Sequence, residues 1–129
     1  MSLLTSAVSM TKAMVQIDST DPGTYEKAMA DWIEQQLSDL SNVLITRENV
    51  LPGRPNLMAE IPGPKQFPAL VMICHMDTVV IGDGWTLPPF EAIEKDGKIY
   101  GRGACDMKSG LACCLSAFIM AARTLHASG

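Results

Sequence analysis

The sequence predicts an α/β domain, layered as α/β/α around a mixed sheet. Three observations carry this prediction. The apolar run Ala69–Cys74 has the length and β-branched content of a buried strand. Two short segments, 91–94 and 98–100, flank an Asp96-Gly97 turn and predict a hairpin. Apolar residues at helical spacing predict three helices. Because a chain of 129 residues can bury one core, we expect one domain over residues 1–129 and no second domain in this chain.

The first predicted helix ends near Ile17, and the turn Ser19–Gly23 follows it. Thr24 is the predicted N-cap of the second helix, whose apolar stripe extends to Leu40 and is typical of a core face. The last helix, about Lys108 to Leu125, is apolar nearly all round. We therefore expect it to be sandwiched within the fold.

Two further strands are predicted, Val43–Thr46 and Asn56–Ile61, joined by a loop over Leu51–Pro55. Arg54 in this loop has two interpretations: a cation that binds the anionic group of a substrate, or a solvated loop cation. The second is preferred, because an arginine in a polar loop is commonly just exposed.

Charge and hydropathy exclude several classes of function. A net charge of −4 and a pI near 5.0 argue against nucleic-acid partners and against binding to an anionic membrane surface. We expect no membrane span, because the apolar stretch Leu111–Ala122 is short and ends at Arg123. Met1 to Val15 lacks the pattern of a signal peptide. A cytoplasmic protein is predicted, while its oligomeric state stays open.

The four cysteines have neither Cys-x-x-Cys spacing nor a secreted context: Cys74, Cys105, Cys113 and Cys114. They are therefore expected to be small buried hydrophobic residues in a reducing cytoplasm rather than disulfides or ligands of a structural zinc. Cys105 is also a candidate nucleophile with His75 as its base, an interpretation that ranks low.

The candidate chemistry begins where the apolar run ends. In His75-x-Asp77, alternate residues of an extended segment point to one side, so the carboxylate can orient the imidazole and leave one ring nitrogen for a metal. Asp106 supplies a second carboxylate at the start of the last helix, beside Gly101 and Gly103. The competing interpretation is a polar pair at a strand end and a helix cap.

The joint pattern resembles a known family. Four segments match it in order and spacing: Arg54–Leu57, His75–Val79, Trp85–Phe90 and Asp96–Lys108. They are similar to the dinuclear zinc metallopeptidases that include acetylornithine deacetylase, succinyl-diaminopimelate desuccinylase, aminoacylase and glutamate carboxypeptidase. The resemblance implies the zinc-peptidase fold and hydrolysis of an amide bond in an N-acyl amino acid or small peptide.

By the same resemblance, His75 ligates one of two zinc ions (or cobalt), Asp106 bridges both, and Asp77 is the catalytic carboxylate that orients His75. The family places a Glu-Glu pair and further ligands later in its sequence. This chain has no Glu after Glu94, and its other histidine, His126, is expected about 27–30 Å from Asp106 along the last helix.

The chain therefore resembles about the first third of a complete enzyme, the N-terminal part of its catalytic domain, and carries half of the metal site. The isolated chain is expected to be inactive, and its substrate-binding residues are unknown. The alternative is a truncated, non-catalytic fragment or an interaction module that binds no metal.

Overall fold

A computed structural model describes residues 3–63 and 70–127. Three helices enclose the core: α1 (Leu3–Val15), α2 (Lys27–Leu37) and α3 (Ser109–Ala127). Each turns one apolar stripe inward, as helical spacing predicts. The buried cluster between them consists of Met14, Met29, Ile33, Leu37, Leu111, Ala112, Leu115 and Ile119.

The start of α2 differs from the prediction. Thr24 is not its N-cap; Glu26 occupies that position and makes no capping hydrogen bond through its side chain. The Thr24 hydroxyl instead donates to the backbone oxygen and to Oδ1 of Asp18, at 2.9 Å each. A threonine hydroxyl bonds to whichever nearby backbone or side-chain group the local turn presents, and here that is the preceding turn.

The described residues contain six strands: β1 (Thr20–Asp21), β2 (Leu44–Leu51), β3 (Arg54–Glu60), β4 (Thr78–Val79), β5 (Ile93–Lys95) and β6 (Lys98–Tyr100). β1 and β4 pair in parallel, while β2–β3 and β5–β6 pair antiparallel. The α/β class is thus confirmed. The predicted single mixed sheet is not present among these residues, which form three separate two-stranded sheets.

Both hairpins follow from local sequence. Asp96 and Gly97 have φ of 53° and 72°, which is the geometry that an Asp-Gly turn favours, and β5–β6 forms as predicted. The predicted loop over Leu51–Pro55 is shorter in the structure. Strands β2 and β3 extend into it, leaving a tight turn at Pro52 and Gly53.

The predicted buried strand at Ala69–Cys74 is wrong for the described part of that run. Residues 70–77 form no strand, and Leu70 and Ile73 are 75% and 89% exposed; Ala69 lies outside the described residues. An apolar run becomes a strand only where another strand accepts its backbone hydrogen bonds. Among the described residues, no strand pairs with this run.

The prediction that α3 is sandwiched is also wrong within the described residues. Leu111, Leu115 and Ile119 are buried on the side that meets α1, whereas Cys113 and Met120 are exposed on the other. The segment Ala104–His126 has the length and mean hydropathy (1.3) of a membrane span. Core helices of soluble proteins share this property, so it is weak evidence for a membrane location.

Candidate metal centre

Two segments bring the predicted site residues together. The first runs from His75 into β4, whose pairing with β1 fixes its direction. The second is an irregular turn, Ala104–Lys108, in which Asp106 leaves helical geometry with φ −126° and ψ 102°. Gly103 enters this turn with φ 79°, a conformation that glycine adopts without strain. The backbone N–H of His75 donates to the Met107 sulfur at 3.3 Å.

The His75 ring lies between two aspartates. Its Nε2 is 2.9 Å from Oδ1 of Asp106. Its Nδ1 is 3.0 Å from the backbone oxygen of Asp77 and 3.4 Å from the Oδ1 of the same residue. The predicted proximity of the three residues is therefore present. The closest partner of Nδ1 is the Asp77 carbonyl, which the sequence pattern did not indicate, and the carboxylate lies slightly further away.

This arrangement affects the protonation of His75. Both ring nitrogens face oxygen acceptors, so both can donate only when the ring is an imidazolium. The Asp106 carboxylate is the largest cause that raises the pKa of His75 above its usual 6.5, and the Asp77 carbonyl adds to it. A raised pKa stabilises the fold most at low pH; this stabilisation is lost as pH rises through the folded-state pKa.

The donor atoms fit part of a zinc site. An imidazole and a carboxylate are ordinary zinc ligands, and two ligands on a tetrahedral ion lie about 3.3 Å apart at bond lengths of about 2.0–2.1 Å. The observed 2.9 Å between Nε2 and Oδ1 needs to widen by only a few tenths of an ångström. The Asp106 side chain is 88% exposed and so is open to further ligands. Within residues 3–63 and 70–127, no group of three or more ligand-type side chains is assembled.

A groove of about 470 Å³ opens beside His75. One wall is the β2–β3 hairpin and the other is the segment that leads to β4. Its lining residues are Glu26, Val50, Leu51, Arg54, Pro55, Asn56, Cys74, His75, Met76 and Asp77.

Arg54 is not an unpaired loop cation, contrary to the preferred prediction; its side chain is 30% exposed and paired with acids. It begins β3, and its guanidinium bonds both Glu26 oxygens, at 3.1 Å from Nε and 2.5 Å from Nη2. Asp21 lies 2.6 Å away, and the ring of Tyr25 stacks below at 4.8 Å. The Arg54 hydrogen bonds hold the pKa of Glu26 below its usual value. Two acids thus neutralise Arg54, which weakens its case as an anion binder.

The comparison with protein families decides the affiliation of the chain. Residues 71–128, which contain both ligand segments, match the model of peptidase family M20/M25/M40. The chain belongs to this family. A probable succinyl-diaminopimelate desuccinylase of Staphylococcus epidermidis is 39% identical over 99 residues, which are 74% of this chain and 23% of that protein. The desuccinylase of Sulfurimonas denitrificans is 36% identical over 126 residues, 95% of this chain and 31% of that protein.

The desuccinylase of Gluconacetobacter diazotrophicus is 46% identical over 78 residues, 57% of this chain and 20% of that protein. The chain therefore spans between 20% and 31% of the length of each of these three relatives.

Other candidates from the sequence lie apart from this candidate site. The prediction that the four cysteines are buried is wrong, since Cys105 and Cys113 are exposed and Cys74 and Cys114 are half-buried. Neither ring nitrogen of His75 bonds to Cys105. Burial raises the pKa of Cys74 to about 11, with a smaller effect of the Cys114 thiol. His126 is exposed in the last turn of α3.

Two residues that support the site were missed by sequence reasoning. Ser19 is fully buried, and its hydroxyl donates to the Met76 oxygen at 2.8 Å. Lys108 is 1% exposed, and burial lowers its pKa to about 8. A serine in a turn and a lysine at a helix start are ordinarily solvated, so nothing in their local sequence distinguishes them.

Proposed function

We propose that this chain is part of a zinc-dependent hydrolase that cleaves amide bonds in N-acyl amino acids or small peptides. The observation that supports it best is the 2.9 Å approach of His75 Nε2 to Asp106 Oδ1, with Asp77 behind the ring. The M20/M25/M40 affiliation and the names of the desuccinylase relatives point the same way.

Each residue has a proposed role. When bound, zinc or cobalt would supply a Lewis acid that could polarise the scissile carbonyl and lower the pKa of a bound water to about 7. His75, through Nε2, and Asp106, through its carboxylate, would hold the metal. Asp77 holds Nδ1 through its carbonyl and carboxylate and so fixes the orientation of the ring. The general base, a glutamate in the family, comes from outside residues 1–129.

The setting of this site is proposed on the same grounds. Residues 1–129 are the N-terminal part of a catalytic domain with the layered α/β/α zinc-peptidase fold, in a cytoplasmic enzyme. The partner is a small substrate, and neither nucleic acid nor a membrane is involved. The groove beside His75 is the natural place for part of that substrate, since it is lined by polar and apolar groups together.

A chimaera tests the proposed function. The part of this chain that matches the Sulfurimonas denitrificans enzyme, 126 residues, replaces the corresponding stretch of that enzyme. Amine release from N-succinyl and N-acetyl amino acids is then measured. We expect activity that is lost in His75→Ala and in Asp106→Asn and reduced about 10–100-fold in Asp77→Ala. His126→Ala is the matched control and should retain activity. A folded chimaera whose activity survives His75→Ala would refute the proposed ligand.

The second candidate is a non-catalytic fragment or interaction module, favoured by the two-ligand site of the described residues. Catalytic zinc takes about three protein ligands, so we predict weak zinc binding and no hydrolysis by the isolated 129-residue chain. Isothermal titration with zinc and the same amine-release assay measure both properties. Stoichiometric submicromolar binding with turnover would mean that other ligands complete the site within this chain.

A further inference from the structure

The two segments of the candidate site share no strand, and the direct hydrogen bonds between them lie at the surface. His75 meets Asp106 where the side chains are 44% and 88% exposed. The other direct hydrogen bond runs from the His75 N–H to a thioether sulfur. Water competes for contacts of this kind, and a sulfur acceptor is weak. These exposed hydrogen bonds alone therefore do not set the separation of the two segments.

On one side, buried hydrogen bonds hold the His75 segment to the connection between α1 and β1. Ser19 is fully buried; its Oγ donates to the Met76 oxygen at 2.8 Å, and its backbone oxygen accepts from the Thr78 N–H at 3.0 Å. These two bonds hold the backbone immediately before and after Asp77. Asp77 is the residue that touches Nδ1 of His75.

On the other side, the same connection holds the Asp106 segment. The Lys108 ammonium is buried and donates to the Ile17 oxygen at 2.6 Å, close enough to Asp18 for their charges to attract. The Lys108 N–H closes the turn around Asp106 by donating to the Gly103 oxygen at 2.9 Å. A lysine is seldom buried unless its ammonium has a specific partner, and here the partner is a backbone carbonyl 91 residues away.

We propose that the connection Ile17–Thr20, half-buried at Ile17 and Asp18 and buried at Ser19 and Thr20, sets the separation of His75 and Asp106, with Ser19 and Lys108 as positioning residues for the two segments. Within these four residues, Ser19 bonds to the His75 segment and Ile17 bonds to the Asp106 segment, so the loss of either set of bonds moves one side chain relative to the other. The positioning of the two segments by Ser19 and Lys108 is argued from geometry alone. The importance of that positioning for catalysis rests on the proposed function.

NMR of the imidazole rings of the metal-free chain tests this. Long-range proton–nitrogen spectra at one fixed pH show two histidines, and the distant His126 serves as an internal reference. We expect Ser19→Ala and Lys108→Met to shift or broaden the His75 signals by more than a linewidth while His126 stays unchanged. Ser19→Thr keeps the hydroxyl and should restore much of the His75 spectrum.

Ser38→Ala is the matched control, because the exposed Ser38 hydroxyl also donates to a backbone oxygen, that of Gln35 at 2.8 Å. It should leave both histidines unchanged. Folded Ser19→Ala and Lys108→Met variants with an unchanged His75 spectrum would overturn the proposal. So would the unfolding of both, since the connection would then be a folding element only. Altered His75 signals together with an inactive chimaera would leave the positioning role intact and refute the proposed function instead.

Discussion

The two sides of His75 are neighbours in sequence and opposites in structure. Before it, residues 70–73 are apolar and exposed, and they pair with no strand of the described residues. After it, Met76 and Thr78 bond to Ser19, and Thr78 and Val79 pair with β1. Hydrophobicity alone predicts the reverse, because the first segment is the more apolar. The difference shows that a segment forms a strand where a partner strand accepts and donates its backbone hydrogen bonds, whatever its hydrophobicity.

The same contrast explains how the candidate site is built. His75 stands at the boundary, with a ring that is half exposed and a following backbone that is held from the buried side. Under the proposed function, the exposed side chains would receive a metal and a substrate, while the hydrogen bonds of the buried Ser19 and Lys108 hold the backbones behind them.

The largest expected effect on the free energy of unfolding comes from a side chain added at Gly103, where this residue lies against Thr78 and Lys108. At Gly103, a Cβ would lie 2.5 Å from Thr78 Cγ2 and 3.1 Å from Lys108 Cδ, at φ 79°. Gly103→Ala should lower the free energy of unfolding by about 2–4 kcal/mol through strain and overpacking. Gly82→Ala is the control: φ is 68°, but no atom lies within 4 Å, so about 1–2 kcal/mol is expected. Urea unfolding measures both, and equal losses would mean that the two segments are not packed together at Gly103.

The next effect concerns the far wall of the groove, where Arg54 lowers the pKa of the buried Glu26 from its usual 4.5. A lowered pKa stabilises the fold above the unfolded-state pKa, and this stabilisation is lost as pH falls through the folded-state value. Glu26→Gln should lower the unfolding free energy at pH 7 by about 1–2 kcal/mol. It should also flatten the loss of stability below about pH 4.5.

Glu34→Gln is the control for that pair, since Glu34 meets Arg47 at a more exposed position. A cost below about 1 kcal/mol is expected there. Urea unfolding of both variants at pH 7 and pH 3 gives the comparison. An unchanged acid dependence in Glu26→Gln would contradict the assignment of Glu26 as the responsible group.

A smaller effect of opposite sign is expected at Thr78. Its hydroxyl is buried and has no hydrogen-bond partner in the described part of the chain. Thr78→Val keeps the shape and removes an unsatisfied oxygen, so we expect a change between zero and a gain of about 1 kcal/mol. Thr11→Val is the contrast, because the Thr11 hydroxyl donates to the Ala7 oxygen at 2.8 Å and its removal should destabilise. A clear loss in Thr78→Val would reveal a partner for that hydroxyl.

The smallest effect is expected on the exposed side of His75. Ile73→Thr should change the unfolding free energy by less than about 0.5 kcal/mol, because Ile73 is 89% exposed. Ile119→Thr, in the core, should cost about 2–4 kcal/mol. Thermal unfolding over a dilution series checks both. A loss at Ile73 that disappears on dilution would show that association covers this segment in solution.

The predictable elements are those whose cause is local. The β5–β6 hairpin follows from Asp96-Gly97, and the buried faces of the helices follow from apolar spacing. The candidate site was predictable in its members, since His75, Asp77 and Asp106 were named from residue type and spacing and are found together. Their roles in metal binding and catalysis remain predictions.

The sequence by itself determined the α/β class, the turn chemistry and the residues able to ligate a metal, because these depend on neighbours within a few positions. Only the tertiary structure decided which apolar run is paired, which cation is buried and where each hydroxyl donates. Residues 70–73 are exposed, Lys108 is buried against Ile17, and Thr24 bonds to Asp18. In each case the deciding partner comes from another part of the fold or from the exact course of a turn, which local propensity does not specify.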